Sequence, residues 1–194
     1  MITAAFAALL IVSGCASPQR PISKPGQQFS GPDYITEARR SVEPFAHVMF
    51  CTRTPGECAR SRNVAAVALT ADKLNALTAI NSSVNRQISP KSDQGDDVWT
   101  LSPASGDCED YAVTKRHALI QRGWPASALK LAIGKTGTAE GHLVLVVRTT
   151  KGDVVLDNRS NEIQNWQDVD LAWQSIQSSA NPRVWHKIAL TPLS

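Results

Sequence analysis

Apolar positions along the chain repeat with a helical period in the first half and with a strand-like period after about residue 128. A helix is predicted to start after Pro32-Asp33 and run toward Phe50, with Pro44 kinking or splitting it. The clearest helix spans Thr70 to Ile88. Leu74, Leu77, Ile80, Val84 and Ile88 recur at helical spacing, and Thr70 can cap it. Asn81 and Asn85 lie one turn apart on a neighbouring stripe. The favoured reading makes them two solvated amides; the other has them orient a loop near a site. Pro90 to Asp97 reads as a polar loop carrying Asp93, Asp96 and Asp97. A second helix is predicted from about Cys108 to Arg122, with Ala112, Val113, Ala118, Leu119 and Ile120 on its buried side. Gly123 stops it and Pro125 prevents a restart. Leu129, Leu131 and Ile133 then alternate as a strand. Gly134 to Gly141 is a loop, and His142 to Arg148 is a strongly apolar strand. A turn at Thr149 to Gly152 leads into Val154-Val155-Leu156, which Asp157-Asn158 ends. A short helix from Asp168 to Gln177, carrying Trp173, and a last strand from Val184 to Leu190 complete the reading. Helices first, then an antiparallel sheet, is an α+β arrangement.

Composition narrows this picture. A chain of 194 residues, 42% hydrophobic and 19% charged, suits one compact soluble domain. The net charge of +3 comes from scattered basic residues without a dense run, which argues against nucleic-acid binding. The apolar run from Ile2 to Val12 is too short to span a bilayer as a stable helix. It leads into Val12-Ser13-Gly14-Cys15, which resembles a bacterial lipobox whose cysteine is lipidated. Residues 1–15 therefore read as a signal peptide with Cys15 as the lipidation site, 16–31 as a flexible tether, and 32–194 as the folded domain. Export to the periplasm would place the cysteines in an oxidising compartment. Cys51 and Cys58 flank the turn Thr54-Pro55-Gly56 and can pair as a staple. That leaves Cys108 alone, either buried and inert or reactive.

Cys108 lies in Ser105-Gly106-Asp107-Cys108-Glu109-Asp110-Tyr111-Ala112, a turn feeding a helix start. A cysteine nucleophile needs a base within hydrogen-bond reach and a third group to orient that base. Of the four histidines, His47 reads as a packing or surface residue. His117 is nine residues along the cysteine's own helix, and His186 has no neighbouring acid. His142 follows Gly141 and opens the apolar strand, a good position to line a cleft. Asp157 ends the next strand and can serve as the third group if register allows. A turn centred between Thr149 and Thr150 sets His142 opposite Asp157. One centred on Lys151-Gly152, which the residues favour, sets Asp157 opposite Val146, roughly 13 Å away along the strand. A bulge or bend would then be needed.

Three readings compete for the acids around Cys108. Asp107, Glu109 and Asp110 suit the first turn of any helix, and Asp107 with Asp110 mimics a capping box. The alternatives are an activated thiol and a metal site. The stretch 105–112, Lys115-Arg116, Gly141-His142-Leu143-Val144-Leu145 and Val155-Leu156-Asp157-Asn158 together resemble the bacterial transglutaminase-like cysteine peptidases, the family of LapG-type periplasmic proteases. Phe50-Cys51 with Pro55 and Glu57-Cys58, Asn81 with Asn85, and Asp97-Val98-Trp99 extend the resemblance from Phe45 to Trp185.

The resemblance implies a papain/transglutaminase-like fold, with a cysteine-bearing helix packed on an antiparallel sheet. It implies Cys108 as nucleophile, His142 as base and Asp157 as its orienting partner. It also implies a calcium cofactor, with Asp107 and Glu109 as ligands and Asp110 as a lesser one. The substrate class implied is protein, with a large surface adhesin cut near its N-terminus. An inner-membrane receptor that sequesters the enzyme is a further implied partner. Two rivals stand beside this: amine transfer through the same thioester, and a non-catalytic calcium-binding lipoprotein that docks a partner.

Overall fold

The computed structural model describes residues 33–61 and 66–189. The signal peptide, Cys15 and the tether lie outside the described residues. Seven strands form one antiparallel sheet: β1 (Glu37–Ser41), β4 (Leu129–Lys135), β5 (Gly141–Thr149), β6 (Gly152–Leu156), β7 (Gln164–Asn165), β8 (Ala172–Gln177) and β9 (Trp185–Ile188). They are ordered β1-β9-β8-β4-β5-β6-β7. The remaining two, β2 (Ser89–Pro90) and β3 (Ser105–Gly106), form a short parallel pair that brings both ends of the acidic loop together.

The helices are α1 (Phe45–Arg53), α2 (Ala71–Gln87) and α3 (Cys108–Gln121). They cover one face of the sheet. Phe50 from α1, Leu77, Ile80 and Val84 from α2 and Val113 and Leu119 from α3 pack with Leu143, Leu145 and Val147 of β5. The intervening Val144 and Val146 face the other way, onto Ile35, Val169, Leu171 and Trp173. Both faces of β5 are therefore buried, which explains a continuous apolar run in an antiparallel strand.

The helix expected over 70–88 forms as α2, with Thr70 Oγ1 accepting from the Lys73 N–H at 3.2 Å. Of the helix expected from Asp33 toward Phe50, only the part beyond Pro44 forms, as α1. Glu37 to Ser41 is instead an edge strand held by β9, and Pro44 precedes α1 as its N-cap. The expected helix over 168–177 is a short 3-10 turn (Trp166–Asp168) followed by β8, a strand bonded on both sides. The sheet consequently begins before the helices, and its first strand is completed by its last.

Candidate active site

Cys108 opens α3, whose first-turn backbone N–H groups have no partner within the helix. Asp107 occupies the N-cap position in an extended conformation, but its side chain makes no capping bond. Its Oδ2 accepts from the Asp93 N–H at 3.3 Å instead. Asp110 Oδ1 accepts from the Thr100 N–H at 2.6 Å. Only half of the capping box suggested by the spacing forms: the Asp107 side chain caps nothing, while the Asp110 carboxylate accepts from the Asp107 backbone N–H. Both acids also tie the 91–100 loop to the helix start.

The thiol meets the sheet through backbone. Cys108 Sγ accepts from the Leu143 N–H at 3.4 Å and donates to Glu109 Oε2 at 3.1 Å. Next to Leu143, the His142 ring is bonded through Nε2 to Asp157 Oδ1 at 2.9 Å. That contact leaves Nδ1 as the ring nitrogen available to a thiol. Both residues are buried, at 7% and 3% exposure.

Neither turn weighed from the sequence is the observed one. Thr149 pairs with Gly152, so the turn residues are Thr150 and Lys151. The β5–β6 pairing runs as far as Leu145 with Leu156, so Asp157 is the first residue past the ladder. The His142–Asp157 hydrogen bond closes just beyond the paired ends of the two strands. Gly152 follows the turn with φ +109°, and an added Cβ there would lie 2.7 Å from Asp33 O.

Asn81 and Asn85 are not solvated amides. Asn81 is fully buried and donates to Ser160 O at 2.8 Å. Asn85 donates to Asp157 O at 3.2 Å and Ser160 O at 3.1 Å. They fix the loop that carries Asp157. The other histidines serve elsewhere. His47 is packed between Glu43 and Gln177 beside the Cys51–Cys58 disulfide. His117 pairs with Glu57, and His186 bonds Ala38 O.

Cys108, His142, Asp107, Glu109, Asn158 and Arg159 line one open cleft of about 440 Å³. Arg159 has no place in the sequence reading. Its guanidinium donates to Asp157 Oδ2 from Nε at 3.0 Å and Nη2 at 2.8 Å. The Asp-x-Arg spacing was the available signal, but a loop arginine two residues past a strand end is common.

Electrostatics at the cleft are unbalanced. Burial first, then the Glu109 carboxylate, pushes the Cys108 thiol well above its ordinary range, and only the Leu143 N–H bond works the other way. Burial and a shared hydrogen bond with Asp107 raise Glu109 to about 8. Burial, with the charges of Asp107 and Asp93 adding, raises Asp110 to about 6. Asp97 is raised by burial and by Asp107. Asp157 moves the other way. Its burial would raise it, but hydrogen bonds from His142 and Arg159 hold it well below the usual carboxylate range. On α3, burial lowers Lys115 to about 7, while the charge of Asp157 opposes that shift.

Carboxylates that crowd one another at such cost suit a hard divalent cation, which takes oxygen ligands. Asp107 and Glu109 face the cleft as oxygen donors and fit such an ion. Asp110 is directed inward, with one oxygen on the Thr100 N–H and the other over Gly106. A second cluster of ligand-type atoms, His47 with Cys51 and Cys58, has its sulfurs in the disulfide.

A family model described as bacterial transglutaminase-like cysteine proteinase matches residues 37–191. Among solved structures, calcium-bound LapG of Legionella pneumophila matches with a TM-score of 0.53 and 24% identity, over 66% of this chain and 76% of that one. The EGTA-treated form matches with a TM-score of 0.49 and 24% identity, over 57% and 64%. The first likeness is one of fold. No curated protein matches the chain.

Proposed function

The chain belongs to the bacterial transglutaminase-like cysteine proteinases, and from that premise we propose that Cys108, His142 and Asp157 are its catalytic triad. The observation that carries this is the 2.9 Å His142–Asp157 hydrogen bond beside a thiol already bonded to the Leu143 N–H. His142 Nδ1 takes the Cys108 proton and the thiolate attacks the carbonyl carbon of a peptide bond. The backbone N–H of Cys108, at the helix start, stabilises the oxyanion. His142 returns the proton to the departing amine, leaving a thioester. Water, deprotonated by the same imidazole, then hydrolyses it. Asp157 holds the ring in the required orientation and stabilises its charged form.

Calcium would be held by Asp107 and Glu109, with Asp110 acting chiefly to hold the loop. Bound there, it supplies positive charge that offsets the carboxylates opposing the thiolate. The proposal extends to setting. The apolar start and Cys15 support export to the periplasm and a lipid anchor. The family supports a protein substrate, for which we propose a surface adhesin, with an inner-membrane receptor as regulator.

The test is alkylation of Cys108 by iodoacetamide together with hydrolysis of a candidate adhesin's N-terminal segment. Cys108→Ser should abolish hydrolysis, and His142→Ala should slow alkylation. Chelation should lower both rates at neutral pH. Unchanged alkylation in His142→Ala refutes the triad, and equal rates with calcium and chelator refute the metal coupling. Amine incorporation exceeding hydrolysis would assign the thioester to acyl transfer instead.

A further inference from the structure

Asp157 receives more support than a histidine alone provides. Its Oδ1 accepts from His142 Nε2 at 2.9 Å and from the Arg159 backbone N–H at 2.9 Å. Its Oδ2 accepts from Arg159 Nε at 3.0 Å and Nη2 at 2.8 Å. The carboxylate's acceptor sites are thereby filled, and every donor but one belongs to Arg159. We propose that Arg159 is a positioning residue for peptide-bond cleavage, acting through Asp157 to aim His142 at Cys108. The inference rests on the triad reading given above.

The geometry explains why an arginine is suited. A carboxylate attached by a short, rotatable stem can present either oxygen to a histidine, or swing away from it. The Nε–Nη2 edge of a guanidinium engages Oδ2 from a fixed direction, so Oδ1 is left facing Nε2. Lysine, a point donor, controls direction less. The arginine also covers the acid. Asp157 is 3% exposed while the Arg159 side chain is 37% exposed, so the guanidinium lies between the buried carboxylate and solvent along the cleft wall.

An exposed ion pair usually contributes little, because both side chains must be ordered. Here the backbone is already ordered. Asn85 holds Asp157 O, and Asn81 and Asn85 hold Ser160 O, bracketing Arg159 on both sides. The other charges near the pair are Lys115, buried on α3, and the cleft residues Lys91, Asp107, Glu109 and Glu140. None of them is hydrogen-bonded to Asp157, so the directional role falls to Arg159.

The experiment measures iodoacetamide alkylation of Cys108 at about pH 7.5 in the full chain, with calcium present. The variants are Arg159→Ala, Arg159→Gln, Arg159→Lys, Asp157→Ala, Asp157→Ala with Arg159→Ala, and His142→Ala. Thermal unfolding confirms that each is folded, and Arg159→Gln replaces Arg159→Ala if the latter is not. Arg159→Ala should slow alkylation about tenfold, the scale of a charge-assisted hydrogen bond. Arg159→Lys should recover part of that loss. In the Asp157→Ala background, removing Arg159 should change nothing, because its route of action is gone. Wild-type alkylation in Arg159→Ala and Arg159→Gln overturns the inference while a slow His142→Ala leaves the triad standing. A further tenfold loss in the Asp157→Ala background also overturns it. Wild-type alkylation in His142→Ala removes the triad reading and this inference together.

Discussion

Gly106→Ala, two residues before the nucleophile, should damage the protein far more than adding one methyl group suggests. An alanine Cβ would overlap Asp110 Oδ2 and stand 2.7 Å from Asp110 Cγ and 2.8 Å from its Cβ. Asp110 can withdraw only by breaking its 2.6 Å bond from the Thr100 N–H. Losing a hydrogen bond to a buried charged group costs about 1.5–3 kcal/mol, and residual overpacking adds about 1–3 kcal/mol. Reduced freedom of the unfolded chain returns about 0.4–1 kcal/mol. The net expectation is a loss of about 2–5 kcal/mol, a large part of a typical domain's stability. Urea unfolding measures it. The same substitution in Asp110→Ala should cost less, since the oxygen and Cγ contacts are gone. It should still cost something, because the Cβ at 2.8 Å remains; Asp110→Gly should remove the conflict. Cys108 alkylation should fall in Gly106→Ala under conditions where the protein remains folded. An unchanged urea midpoint, or an equal cost in all three backgrounds, would refute the reasoning.

Acid should act through His47. Burial first, then Arg116 and Arg183, lowers it to about 3 from the ordinary 6.5. As pH falls through that window the unfolded chain binds a proton that the folded protein refuses, so stability falls. The stability gap between wild type and His47→Gln should therefore shrink on acidification, and a gap independent of pH would contradict this. Replacing Cys51 and Cys58 by serine opens a loop of sequence separation 7. Chain entropy gives a loss of about 2 kcal/mol in denaturant, and a larger m-value would show that the unfolded state had expanded as well.

The sequence was most informative where local chemistry decided the structure. Thr70 and the apolar spacing behind it define α2, and Gly123 ends α3 with φ +79°. It was least informative where a distant strand decided. Glu37-Ala38-Arg39-Arg40 has good helix-forming residues, and only pairing with β9 makes it a strand. Charged side chains are what a sheet edge favours, so the composition is consistent once the pairing is known. In β8, Gln174, Ser175 and Gln177 look like a helix's polar face. Gln177 is instead buried, bonding the Leu131 N–H, His47 and Pro182 O. At the candidate site, the residues now proposed as the triad could all be named from the sequence. The register joining two of them could not, because Gly152 resembled a turn centre yet follows the turn. The functions of Asn81, Asn85 and Arg159 depend on a loop whose position no local pattern reveals.

The pairing of β1 with β9 also governs when the domain can be completed. The first and last strands described lie side by side, although residues 42–184 separate them. A chain released N-terminus first, from a ribosome or through a membrane channel, cannot close this sheet until its final strand emerges. Until then β1 lacks its partner and β8 presents an open edge to other chains. Protection from premature folding and exposure to mispairing in transit thus follow from the same strand order.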